Sequence, residues 1–250
     1  MQNNNIAVII LAAGYGKRLG GKNQKTLVKI LGKPLLAHLI DTVKKCNPER
    51  IVTVVGFQKE KVIKELEGED VIFVEQTRLL GTGHAVMTCR DVFFDFNGDI
   101  LVLCGDVPFL SIETIKKLQE VHNETSADCT VLTPIVDNPF GYGRIKRNSH
   151  DRIEKIIEEI NANPGEKEIK EINAGVYVFN KEKLFECLSH IHLDPIKKEY
   201  YLTDVVELFI KTGKKVSTWT TPTPEETIGI NTHQDLIKAE QYFLNLRRQK

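Results

Sequence analysis

The chain has 250 residues, 41% hydrophobic and 27% charged, enough to bury a full core as one large domain or a domain with a lobe. Its 34 Lys and Arg are matched by 34 Asp and Glu, which excludes the broad basic field of a sequence-independent nucleic-acid binder and leaves any anion preference local. No stretch approaches the roughly 18 to 20 apolar residues of a membrane span, and Cys46, Cys89, Cys104, Cys129 and Cys187 form no C-x-x-C pair, so neither a disulfide framework nor a zinc site is expected.

The start, MQNNN, has no cation before the short apolar run, so no signal peptide is expected and a reducing cytoplasm fits best. That run, IAVIILA at 6–12, reads as a buried strand. Four glycines and the cations Lys17, Arg18, Lys22 and Lys25 then crowd into 14–27 with no acidic residue among them. A Walker loop is excluded because Arg18 follows Gly16-Lys17, and a dinucleotide fingerprint because Leu19 stands where the third glycine belongs. What remains is either a flexible basic loop or a backbone nest for phosphate oxygens with cations at hand.

An amphipathic helix begins near Pro34, and the alternation repeats: strands at 50–56, 71–75 and 99–106, helices at 59–66, 83–93 and 111–121. Ser111 suits the last helix as N-cap, and Glu113 suits its dipole. Continuous Val/Ile/Leu runs alternating with helices predict an α/β fold with a mostly parallel sheet covered on both faces. After about 135 the pieces shorten to hairpin strands around GYGRIKRN and RIEKIIEE, a strand in EINAGVYVFN, helices near 181–188 and 203–212, and a final helix from about 232. We read one domain over 1–250, with a substrate-side elaboration beyond about 135. No hexapeptide repeat is present, so no parallel β-helix is expected.

Two further stretches invite ligands. In LLGTGHAV, Gly81, Thr82 and Gly83 precede a helix, a place for an anion or a base edge, or simply a Thr N-cap with turn glycines. In LVLCGDVPFL, Asp106 follows an apolar strand at the carboxyl edge of a parallel sheet, placed either for Mg²⁺ or as a turn former before proline.

In order and spacing these pieces resemble the sugar-phosphate nucleotidyltransferases, most nearly the uridylyltransferase domain of the bacterial N-acetylglucosamine-1-phosphate uridylyltransferases. The likeness runs nearly end to end, through LAAGYGKRL, Lys25, EQTRLLGTGHA, CGDVPFLS, GYGRI, EINAGVYVFN, KEYYLTDVV and GINTHQDL. It implies a Rossmann-like, GT-A-like sheet with a small β-rich substrate lobe, a nucleotide-binding half to about 135 and a sugar-binding half from about 136, without the left-handed β-helix acyltransferase domain. It also implies Mg²⁺-dependent transfer of a uridylyl group from UTP to a sugar 1-phosphate, N-acetylglucosamine 1-phosphate first, with no nucleic-acid or membrane partner; the alternatives are another sugar 1-phosphate, CTP or dTTP as donor, or a catalytically weak nucleotide-sugar-binding regulator. Carried over by position, Leu11, Ala12, Ala13, Gly14 and Gly16 lie along the nucleotide, Arg18 and Lys25 take the triphosphate as the catalytic cations, and Gln76, Gly81, Thr82 and Gly105 complete the nucleotide site. Asp106 and Asn231 hold Mg²⁺, while Gly143, Glu158, Asn173, Tyr201 and Thr203 line the sugar side. The chain departs from the family at Gln24, where proline is usual, at Cys104, where an aromatic is common, and at Ile160-Asn161, where Lys-Asp is usual. His84 is open between ligand contact and local packing, and Lys197, Lys198 and Glu199 read as a solvated face.

Overall fold

A computed structural model describes residues 5–16 and 24–248, with side chains up to residue 244. Its frame is a seven-stranded sheet whose centre is the first apolar run. β1 (Ile6–Ala12) lies parallel between β4 (Ile51–Val55) and β6 (Asp99–Cys104). Before β4 come a minimal hairpin of β2 (Lys29–Ile30) and β3 (Lys33–Pro34) and then helix α1 (Leu35–Lys44). After it come α2 (Lys59–Glu65), β5 (Ile72–Glu75), which pairs parallel with β4, and α3 (Thr82–Met87).

The unbroken apolar character of β1 follows from burial on both faces. Ala7 and Ile9 point into one layer, Val8, Ile10 and Ala12 into the other, as a two-residue repeat requires. The second layer is filled by Leu36, Leu39, Ile40 and Val43 of α1 and by Ile115 and Leu118 of α4 (Ile112–Glu124). Ser111 caps α4 by accepting from the Thr114 amide at 3.1 Å, and Glu113 lies in its first turn, as the sequence predicts.

Past α4 come β7 (Cys129–Leu132), the antiparallel pair β8 (Arg144–Arg147) and β9 (Ile153–Ile157), a short α5 (Pro164–Lys167), and β10 (Val176–Asn180). Then follow α6 (Lys181–Leu188), α7 (Thr203–Lys211), β11 (Val216–Trp219) and α8 (His233–Arg248). Leu184 and Leu188 of α6, with Val205, Val206 and Phe209 of α7, fill the first layer. The sheet order is β11-β7-β10-β6-β1-β4-β5, and only β10 runs antiparallel to its neighbours.

One expectation is corrected, and two strands of the main sheet are added. The helix over 83–93 is instead α3 followed by a separate 3-10 turn at Arg90–Phe93. β7 and β11, four residues each, are absent from the sequence reading. CTVL is too short to show a period, and VSTW is a half-buried edge strand whose polar residues hide it. Among the described residues no helix is long and apolar enough to cross a membrane.

The topology determines where a ligand can sit. β1, β4 and β6 end at one edge, and the reversed β10 starts there, with Val176 opposite Leu103. Asn173 and Ala174, just ahead of β10, therefore arrive beside the end of β6.

Candidate active site

A cleft of about 640 Å³ opens at this carboxyl edge, floored by Leu11, Ala12, Ala13 and Gly14 as β1 runs out. Gly16 has φ +58°, and a Cβ there would stand 2.8 Å from Lys25 Cβ, so a glycine lets the loop close against Lys25. Lys17, Arg18 and Lys22 lie outside the described residues. Lys25 opens a 3-10 turn, and its ammonium pairs with Asp106 Oδ2 while donating to Asn231 Oδ1 at 2.7 Å. Neither Lys25 nor Asp106 is freely exposed, with side chains 16% and 19% accessible.

Asn231 is aimed by its neighbours. Its Nδ2 donates to the Gly229 carbonyl at 3.1 Å, which turns Oδ1 toward Lys25. The Ile230 amide donates to the Asp106 carbonyl at 3.0 Å, tying the two segments together. At the start of α8, Asp235 accepts from the Asn231 and Thr232 amides at 3.0 and 2.8 Å, and its own amide donates to Thr232 Oγ1 at 3.1 Å, a reciprocal cap. A carboxylate oxygen and a carboxamide oxygen thus converge on one cation. Among the described residues no three His, Cys, Asp or Glu gather as a metal cluster. The donor set suits a hard ion that takes few protein oxygens and completes its shell with water and phosphate, as Mg²⁺ does.

At the opposite wall Gln76 is buried and its orientation is determined by chemistry. Its Nε2 donates to the Gly81 carbonyl at 2.9 Å and lies 3.0 Å from His84 Nδ1. A reversed amide would set two carbonyl oxygens face to face, so Nε2 is the donor to both and His84 Nδ1 accepts. Burial first, and then Arg78, lower the His84 pKa, in keeping with a neutral ring. No described residue donates to Gln76 Oε1, which is the group left for the cleft.

Gly81 has φ +94°, and a Cβ there would stand 2.7 Å from the Tyr200 carbonyl. That closeness is used: the Tyr200 amide donates to the Leu80 carbonyl at 2.7 Å, and the Gly83 amide to the Tyr200 carbonyl at 2.8 Å. Thr82 does not cap α3. Gly81 occupies the cap position, and the Thr82 hydroxyl accepts from the Leu202 amide at 3.0 Å. The glycine turn and the KEYYLT segment are stitched together.

Toward the far end the cleft is lined by Glu158 and Tyr201, and also by Glu199 and Lys197; Lys197 and Lys198 are exposed, as a solvated face requires, while Glu199 is half-buried. Their KKE pattern carries no periodicity that would separate a cleft lip from a solvent face. Burial raises the Glu158 pKa, with Glu199 and Asp194 adding to it and the Thr203 hydroxyl, donating at 2.7 Å, opposing. Burial pushes the Tyr201 phenol above its usual range and, with Glu158 next, lifts Asp204 to about 6.

Four expected residues do not line the cleft but back it. The Gly105 amide donates to the Leu11 carbonyl at 3.0 Å, and Thr203 reaches the cleft through Glu158. The Asn173 amide donates to the Gly143 carbonyl at 2.9 Å, and Asn173 Nδ2 donates to the Tyr177 hydroxyl at 2.6 Å. Tyr15, Thr26, Leu79 and Ala85 join the wall without having been singled out in the sequence. Cys104, noted there as a departure from the family, lies in the wall too, and its thiol is pushed up to about 12 by burial and then by Asp106. At neutral pH it is a thiol and no nucleophile.

Comparison with known proteins agrees with this architecture. Residues 8–171 match the model of the MobA-like NTP transferase domain. The chain is 42% identical over 233 residues to the bifunctional protein GlmU of Geobacillus sp. (strain WCH70), covering 93% of this chain and 50% of that one. The corresponding protein of Caldicellulosiruptor saccharolyticus is 44% identical over 234 residues, again 93% of this chain and 50% of its own length. The chain therefore spans about half the length of the curated relatives it matches. A crystal structure of a UDP-glucose pyrophosphorylase complexed with UDP-glucose superposes with TM-score 0.77 over 96% of this chain and 99% of the other, at 19% identity, a likeness of fold.

Proposed function

The chain belongs to the MobA-like NTP transferase family, among the sugar-phosphate nucleotidyltransferases related to GlmU, and on that premise we propose that it transfers a uridylyl group from UTP to a sugar 1-phosphate, N-acetylglucosamine 1-phosphate by family resemblance, releasing pyrophosphate. One observation carries the reading: Lys25, Asp106 and Asn231 meet at the edge of the cleft where β1 and β6 end.

An oxygen of the sugar phosphate attacks the α-phosphorus in line, and the bond from that phosphorus to the bridging oxygen breaks. The nucleophile is already an anion, so no general base is needed. What the protein supplies is position and positive charge. Lys25, with Arg18 beside it in the family pattern, neutralises charge on the transferring group and the leaving pyrophosphate, and the amides of Leu11 to Gly16 border the nucleotide. Asp106 and Asn231 would hold Mg²⁺; when bound, such an ion supplies further charge neutralisation on the phosphate oxygens. Gly143, Glu158, Asn173, Tyr201 and Thr203 are assigned to the sugar side, where Glu158 accepts from hydroxyls.

Base choice rests on Gln76. With its Nε2 engaged by Gly81 and His84, it offers an acceptor oxygen. Uracil presents a donor at N3 and cytosine an acceptor, so the pairing supports UTP over CTP. A panel of nucleoside triphosphates against sugar 1-phosphates, with Mg²⁺ and with chelator, tests the whole reading through pyrophosphate release. The expected result is metal-dependent release with UTP and N-acetylglucosamine 1-phosphate. Release with no pair would refute transfer, and equal release from CTP would refute the role of Gln76.

A further inference from the structure

Lys25 can serve a phosphate only if the turn that carries it is held still, a turn reached in the sequence just after GGKN at 20–23. The next residue, Gln24, is 1% exposed, and both ends of its amide are engaged. Nε2 donates to the Ala12 carbonyl at the end of β1. Oε1 accepts from the Thr26 amide at 3.2 Å and so caps the 3-10 turn of Lys25–Leu27. The Gln24 backbone amide donates to Gln58 Oε1 at 3.1 Å, ahead of α2. One buried residue therefore ties the lysine turn to the end of β1 and to the start of α2.

We propose that Gln24 is a positioning residue for Lys25, a hydrogen-bonded strut that sets the lysine backbone so that its ammonium reaches the phosphate site. The inference rests on the role given to Lys25 above. Burying an amide is unfavourable unless its donor and acceptor are both satisfied, and here the partners belong to the two pieces whose separation matters. Gln24 acts through Lys25. Its backbone, at φ −61° and ψ 125°, has the shape a proline would hold. The same placement can thus be reached by ring or by hydrogen bond, and this chain uses the bond.

The test reads the lysine directly as well as the reaction. Gln24→Met keeps length and removes the amide; Gln24→Pro keeps φ and removes the polar contacts. In the protein without substrate, Lys25 acetylation is followed by peptide mass spectrometry against Lys29 and Lys33 as internal standards. We expect Gln24→Met to raise Lys25 labelling and to lower kcat by about tenfold or more with KM little changed, the pattern of a misplaced group. Gln24→Pro should recover part of both. Unchanged Lys25 labelling and kcat in Gln24→Met, or a proline variant as impaired as the methionine one, would overturn the strut. Should Gln24→Met not fold, Gln58→Ala carries the same labelling test: faster modification of Lys25 supports the proposal and no change overturns it. A wild-type protein that shields Lys25 yet releases no pyrophosphate would count against the proposed reaction alone, because the labelling comparison is independent of turnover.

Discussion

At the scale of single residues, charge placement dominates. Lys25 offers the described lining of the cleft its one cation engaged with both Asp106 and Asn231, so removing either charge disturbs a shared arrangement. We expect Lys25→Ala and Asp106→Ala each to cost about 3 kcal/mol of transition-state stabilisation, roughly a hundredfold or more in turnover, by analogy with an oxyanion-hole donor. Pyrophosphate release by folded variants measures this, and near-normal turnover in both would remove the mechanism. The residues of this constellation were legible as types, since a lysine after a glycine loop and an aspartate after a buried strand carry local meaning. Gln24 was noticed only as a departure from family pattern, because a buried glutamine and an exposed one look alike until the partners of the amide are known.

At the scale of elements, the β8–β9 pair is held by an ion pair as well as by the burial of Ile145, Ile153 and Ile156 in the first layer. Arg144, the first residue of β8, is 1% exposed, and its Nη2 lies 2.7 Å from Glu159 Oε2. Glu159 also accepts from the Gly141 amide at 3.1 Å, and though burial raises its pKa, Arg144 and that amide together pull it below the usual range. Glu159→Ala would leave a buried guanidinium without its carboxylate. We expect a loss of about 2 kcal/mol, below the roughly 3 to 5 of a fully buried pair because Glu159 is partly in solvent. Denaturant unfolding should show this as a lower midpoint at unchanged slope, and a midpoint equal to that of the wild type would mean that Arg144 finds other acceptors. The motif GYGRI advertised a glycine turn, while the arginine inside it gave no sign in the sequence that it was buried.

Over the molecule as a whole, acidic groups gather around Glu158, which lines the far end of the cleft. Asp204 has a folded pKa of about 6, raised by burial and then by Glu158, Glu207 and Asp194, against an ordinary value of 3.8. An acid whose pKa is raised on folding stabilises the fold fully below its unfolded pKa, and that contribution is lost as pH climbs through the folded value. The window is therefore pH 3.8 to about 6. Because Asp204 is partly exposed and lies in the first turn of α7, where the dipole favours its charge, the loss is about 1 kcal/mol after screening. Asp204→Asn should melt higher than the wild type at pH 7, with the gap closing toward pH 4; a gap constant with pH would show that Asp204 is not the titrating group. The alternation of apolar strands with helices, and the motifs themselves, were determined by the sequence alone, because periodicity, caps and turn glycines act over a few neighbouring residues. Strand order, the reversed insertion of β10 between β6 and β7, and the meeting of Lys25 with Asn231, 206 positions away, were decided only by tertiary structure. Such contacts depend on how two apolar layers close around the sheet, and that closure is a property of the packed chain that no local pattern contains.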